Sequence, residues 1–257
     1  NLDCMSGNGP VAVVTGSRRG IGLGIARALG RAGYRVFLSA VSDAGQAQDA
    51  LDSLHGEGIH AEYVRCNIAK AEERAALIAA AERTGRLDLL VNNAGVGLTA
   101  PFLKTTPELF ETVINTDLRG NFFGAQRAAK EMISRGIRGV IINISSNHAV
   151  GCWPDCSVYA AAKAGLSKFT KNCAMELAPY GIRVVTVQPG YTDIGWDKQN
   201  PIWSAEPRIP LKRFADPSEI ADGIVFLASD KAAYITGATI DIDGGALLAC
   251  VPENMFV

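Results

Sequence analysis

The chain has no long apolar run, no excess of charge of either sign, no C-x-x-C motif and only three histidines. Each absence removes a class of function. Without a stretch of about 18 apolar residues, no segment reads as a membrane-crossing helix. The opening NLDCMSGNGP lacks the basic and apolar blocks of a secretory signal, and the expectation is a cytoplasmic protein. Residues 1–9 read as a flexible lead-in outside the fold. The 25 basic and 26 acidic residues leave a formal net charge of -1, so neither nucleic acid nor an anionic membrane finds an electrostatic footprint. A small molecule is the expected partner. The six cysteines (Cys4, Cys66, Cys152, Cys156, Cys173 and Cys250) are scattered, which indicates neither a disulfide framework nor a zinc site, and no metal is expected. Cys152 and Cys156 flank Trp153 and Pro154 and read as loop or pocket residues.

What is there is alternation. The 257 residues are 48% hydrophobic, enough to bury a large core. Short apolar runs (VAVV, RVFLSA, AEYVRC, LDLLVNN) are separated by helical patterns (GIGLGIARALGRAG, QAQDALDSLHGEG, AEERAALIAAAERTG). This is the β-α-β-α order of a parallel sheet covered on both faces. A long helix is expected over 107–134, announced by Thr105 and Glu108 at capping-box spacing with Pro107 in the first turn. The strand GVIINIS, a helix carrying Tyr159, the strand IRVVTVQP, a helix capped at Asp216 and Pro217, and a last strand near ATIDI complete the pattern. No linker or repeat interrupts it. The expected fold is therefore α/β, one doubly wound parallel sheet in a single domain over 10–257. Residues 190–215, with Trp196, Trp203 and three prolines, break the periodicity after a strand end and are expected to form a substrate loop.

Two motifs carry chemistry. TGSRRGIG, residues 15–22, sits between the first strand and the first helix. There its glycines let the backbone approach a pyrophosphate that the helix N-terminus attracts. In SVYAAAKAGLSKF, Tyr159 and Lys163 are four residues apart, one turn of helix, on one face.

TGSRRGIG, NNAG at 92–95, Ser146, Tyr159 with Lys163, PG at 189–190 and DGG at 243–245, in this order over about residues 10–246, together resemble the short-chain dehydrogenase/reductase family. The subgroup it resembles contains 3-oxoacyl carrier-protein reductases and glucose and polyol dehydrogenases. The resemblance implies a Rossmann fold, with Tyr159 as general acid/base, Lys163 on the nicotinamide ribose and Ser146 on the substrate oxygen. It implies cofactor contacts from Gly16, Ser17, Arg18, Arg19, Gly20, Ile21 and Gly22. Further contacts fall to Asn67 and Ile68 beside the adenine, to Asn93, Ala94 and Gly95 along the ribose, and to Pro189, Gly190 and Thr192 at the carboxamide. It also implies a homotetramer in which the helix 107–134 and the Tyr159 helix pair across subunits. Two positions depart from the family. Asp117 stands where a tetrad asparagine is usual, with Asn115 out of register, and Ile194 stands where a threonine is common. Asp117 is a catalytic candidate through its main-chain carbonyl, and its charge could pair with Lys163.

The residues agree with these roles. An isolated phenol titrates near pH ~10, so a lysine cation one turn away and an oxidised nicotinamide are needed to favour the phenolate. Ser145 and Ser146 point oppositely at a strand end, and family spacing selects Ser146. After the second strand, Ala40 stands where NAD-selective relatives carry an aspartate. Arg18 and Arg19, helped by Ser39 and Ser42, could bind a 2'-phosphate, although Val41 offers no basic group. NADP(H) is the expected cofactor, with NAD(H) possible. His148, Tyr191 and Trp196 are substrate candidates, and Trp153 and Trp203 could extend an aromatic wall. The leading expectation is an oxidoreductase acting on a small ketone, a 3-oxo compound or a secondary alcohol. The alternatives are a sugar or polyol dehydrogenase and a non-catalytic dinucleotide-binding regulator.

Overall fold

A computed structural model describes residues 9–248; the first eight residues, and with them most of the expected lead-in, lie outside the described residues, as do 249–257. Seven strands form one parallel sheet in the order β3-β2-β1-β4-β5-β6-β7. They are β1 (Val11–Thr15), β2 (Arg35–Ala40), β3 (Ala61–Arg65), β4 (Leu89–Asn92), β5 (Val140–Ile144), β6 (Arg183–Pro189) and β7 (Thr239–Ile242). The central strands are dominated by Val, Ile and Leu because both faces are covered. Alternate residues of β1 serve opposite cores. Ala12 and Val14 pack with Ile25 and Leu29 of helix α1 (Gly20–Arg31) and Ile220 and Ile224 of α7 (Pro217–Ala228). Val11 and Val13 pack with Leu77 and Ile78 of α3 (Ala71–Glu82) and with Met132. The remaining helix on the β2–β3 side is α2 (Ala44–Gly56). The order reverses between β1 and β4, and the crevice beyond their C-terminal ends is where such sheets bind ligands.

The expected long helix is three segments: α4 (Pro107–Val113), a π-helical turn (Ile114–Gly120) and α5 (Asn121–Ser134). The interruption is held by the Asn121 side-chain amide, which donates to the main-chain oxygen of Asp117 at 2.8 Å. The cap is also corrected by one residue. Thr106, not Thr105, accepts from Leu109 N–H at 3.3 Å, because Pro107 forces the residue before it to be extended. The Thr105 hydroxyl instead donates to the Pro101 carbonyl.

Helix α6 (Ser157–Leu177) carries the Tyr-x-x-x-Lys pair. Residues 190–215 are less irregular than their composition implies: Thr192 bridges Ala215 and Pro201–Arg208 forms a 3-10 turn. Among the described residues no helix is long and apolar enough to cross a membrane.

Candidate active site

A cleft of about 320 Å³ opens at the reversal point. The glycine-rich turn forms its floor. Gly16 adopts a φ of +64°, and a Cβ there would stand 2.8 Å from Ala94 Cα, so a side chain is excluded twice over. Arg19 precedes α1 with an extended backbone and no side-chain cap, which leaves the first N–H groups of the helix open toward the cleft. Gly20, Ile21 and Gly22 line the same floor. Ser17 does not. Its hydroxyl donates to Val14 O at 2.7 Å and accepts from Ser39 N–H, locking the turn onto β2. Ser39 is buried with it, so of the two serines proposed for a 2'-phosphate only Ser42 lies nearer the rim.

The residue that shapes that rim went unrecognised in the sequence. Tyr63 donates to Ala40 O and to Ser42 O, at 3.1 and 2.6 Å, and so fixes the chain after β2. Burial pushes its phenol above the ordinary value, opposed by the Ala40 bond and by the positive charges of Arg18 and Arg65. Arg65 stands beside Ala40 across the β2–β3 pair. Arg65 is shared with Asp43 and Glu73.

On the other wall, β5 and α6 meet. Lys163 is buried, donates to Ile144 O at 3.2 Å and lies 3.3 Å from Asp117 Oδ2; it is not the solvated lysine that an isolated Tyr-x-x-x-Lys would suggest. The other oxygen of Asp117 accepts from Val96 N–H at 2.7 Å. The loop after β4 can approach this pair because residue 95 is glycine: a Cβ there would stand 2.7 Å from Asp117 Oδ2. Burial raises the Asp117 carboxyl against the opposing Lys163 charge and Val96 bond. Burial also works to depress the Lys163 ammonium, but the charges of Tyr159 and Asp117 reverse this and hold it above its ordinary value. Tyr159 and Ser146 line the cleft beside Lys163. Ser145 donates to Lys163 O at 2.8 Å and accepts from Ser167, so it anchors α6 to the sheet.

The remaining candidates divide. Asn93, Ala94, Gly95, Pro189 and Gly190 line the cleft. The Asn93 amide donates to Thr15 O and Gly16 O, stapling β4 to the glycine-rich turn. Asn67 closes an Asx turn on Ala69 N–H at 3.0 Å, and the Ile68 carbonyl is taken by Arg74. Thr192 is buried and donates to Gly190 O, whereas Ile194 reaches the cleft and packs over Gly20. Ser146 Oγ and His148 Nδ1 are 3.1 Å apart, and burial pushes the His148 imidazole below its ordinary range. Its ring meets Tyr159 edge-on at 5.3 Å and stacks on Trp153 at 4.0 Å. Tyr191 stacks on Phe214 at 5.1 Å, and Phe214 on Trp203 at 4.5 Å. Trp196 joins no ring contact among the described residues and is exposed. Phe214 was missed because no local pattern links it to Tyr191.

Known proteins resemble this chain over most of its length. The family described as enoyl-(acyl carrier protein) reductase matches residues 16–246. A 3beta-hydroxysteroid dehydrogenase of Eggerthella lenta is 38% identical over 93% of this chain and 94% of its own length. A 3-oxoacyl acyl-carrier-protein reductase of Staphylococcus aureus is 38% identical over 91% of this chain and 96% of its own. The solved structure of a variant actinorhodin polyketide ketoreductase with NADPH superposes with a TM-score of 0.88 at 32% identity, covering 94% of this chain and 98% of that one.

Proposed function

The chain belongs to the short-chain dehydrogenase/reductase family of oxidoreductases, and we propose that it transfers hydride between NADP(H) and a small ketone, 3-oxo compound or secondary alcohol with Tyr159 as general acid/base. The observation that carries this reading is the convergence of Ser146, Tyr159, Lys163 and the glycine-rich turn on one cleft. The dinucleotide fits it: Gly22 packs against the Gly16 carbonyl and Gly95 against Asp117 where any Cβ would collide, which keeps the turn and the loop after β4 close to the cleft, and the open N–H groups of α1 suit a pyrophosphate.

When bound, the nicotinamide supplies or accepts the hydride. Ser146 donates a hydrogen bond to the substrate oxygen, and Tyr159 gives that oxygen its proton as negative charge builds there, or removes it in the reverse direction. Lys163 holds the ribose hydroxyls, and its charge favours the phenolate. Asp117 orients Lys163 and, through Val96, the loop beside the ribose. Arg18, with Arg19 and Ser42, binds the 2'-phosphate, while Ala40 presents no carboxylate against it. Asn67, Ile68 and Thr192 shape the adenine and carboxamide ends. The relatives support a carbonyl substrate and NADP(H): one is named a 3-oxoacyl reductase, another a ketoreductase with NADPH. Arg127 of α5 and Arg135 just after it are paired within the subunit, with Glu82 and Glu131 respectively, which favours a free small molecule over an acidic carrier protein. The same reading makes the enzyme cytoplasmic and homotetrameric.

The test is a spectrophotometric assay of both nicotinamide cofactors against a panel of ketones and a panel of sugars and polyols. NADPH-dependent ketone reduction is expected to exceed every polyol oxidation. Turnover of polyols alone would establish the alternative dehydrogenase.

A further inference from the structure

From Tyr159, which lines the cleft, a continuous strip of rings runs outward. Tyr159, His148 and Trp153 make one half, and Tyr191, Phe214 and Trp203 the other. The halves are clasped where the Trp153 indole N–H donates to the Tyr191 hydroxyl at 3.0 Å, tying the segment after β5 to the segment after β6. We infer that this strip is the substrate-recognition wall, that Trp153 is its specificity-determining residue, and that it selects ketones bearing an apolar ring over polyols and sugars. The inference rests on the hydride-transfer reading above and names the substrate class for that site.

Apart from the catalytic Tyr159 hydroxyl, the two indole N–H groups and the Nδ1 edge of His148 are engaged within the protein. The Trp153 N–H is used by Tyr191, and the Trp203 N–H donates to Asp197 O at 2.9 Å. The Nδ1 edge of His148 faces Ser146 Oγ and Asn147 Oδ1, at 3.1 and 3.2 Å. What the strip offers a ligand is chiefly the half-exposed ring surface of Trp153, Tyr191 and Trp203. A polyol moving onto such a surface exchanges water for few groups that can pair with its hydroxyls, whereas an apolar ring gains contact area.

Trp153 is also fixed in place. A Cβ on Gly151 would stand 2.7 and 2.8 Å from two carbons of its six-membered ring, so the indole lies directly on that glycine while His148 stacks on it. A wall held by a stack, a hydrogen bond and a glycine seat discriminates by shape. At the outer end, Lys198 Nζ lies 3.9 Å from the Trp203 ring centre and 3.4 Å from Asp193.

The experiment compares wild type, Trp153→Ala, Trp153→Phe and Gly151→Ala, with cyclohexyl methyl ketone and 2-butanone as probes. Turnover is measured with NADPH, and binding of the cyclic ketone to the NADP+-loaded protein by calorimetry. Gly151 does not have a left-handed φ, so alanine is tolerated by the backbone and acts by lifting the indole. Wild type is expected to prefer the cyclic ketone. Trp153→Ala and Gly151→Ala are expected to cut that kcat/KM preference about tenfold while 2-butanone stays within about threefold, and Trp153→Phe to keep most of it. An unchanged preference in both variants, or equal loss on both ketones, overturns the inference. If wild type turns over neither ketone, the hydride-transfer reading fails, and calorimetry judges recognition separately. Cyclic-ketone binding lost in Trp153→Ala sustains the wall; equal binding, or none in wild type, overturns it.

Discussion

Lys163 and Asp117 face each other at 3.3 Å, ammonium to carboxylate, with 4% and 0% of their side chains exposed. The carboxylate offsets part of the field that the ammonium exerts on Tyr159, whose ring centre is 5.5 Å from Nζ. Asp117→Asn removes that negative charge but keeps the main-chain carbonyl that accepts from Asn121, so activity at the optimum is expected to stay within about threefold. A pH-rate series on both proteins checks it. A loss of a hundredfold or more would mean that the carboxylate itself carries the proton.

Lys163→Ala strands a buried carboxylate. The expected cost is about 3 to 5 kcal/mol of stability, together with weaker cofactor binding and slower turnover. The double variant Lys163→Ala/Asp117→Asn should recover most of the stability in denaturant titrations and none of the activity. Recovery of both would make Lys163 a purely structural residue.

Cofactor choice is tested at Ala40. The parent is expected to favour NADP(H) by about one to two decades in kcat/KM, the contribution of a charge-assisted bond to the 2'-phosphate. Ala40→Asp should shift the preference toward NAD(H). An NAD(H)-preferring parent would contradict the reading of Arg18 and Ala40.

Phe122 and Phe123 on α5 are 39% and 40% exposed, and Phe122 packs against Phe169 of α6. Two adjacent exposed rings on α5, one packed on the partly buried Phe169 of α6, mark a surface that association would cover. Light scattering at micromolar concentration is expected to give a tetramer, and Phe123→Glu a smaller species. A monomeric parent would refute it.

The strands were legible because buried parallel strands are written as Val, Ile and Leu runs, and the glycine-rich turn and the Tyr159–Lys163 pair because their spacing is local. The break in the helix 107–134 was not, since a π-helical turn leaves the apolar periodicity nearly intact and its lock, Asn121 on Asp117 O, is a side-chain contact. Tyr63 reads as an ordinary strand residue until β2 and β3 pair and bring its hydroxyl to Ala40 and Ser42. The ring strip was half visible: Trp153, Tyr191 and Trp203 were candidates, but the link through Phe214 exists only once the segment after β6 folds back. Asn67 shows the converse, a family contact position whose side chain the structure uses to close a turn.

The most direct test of hydride transfer with Tyr159 as the proton donor is NADPH oxidation by a reducible ketone in the parent and in Tyr159→Phe, with NADPH affinity measured on both. The account predicts turnover in the parent, a loss of about a hundredfold or more in the variant, and unchanged affinity for NADPH. A variant that keeps the parent's rate would contradict it.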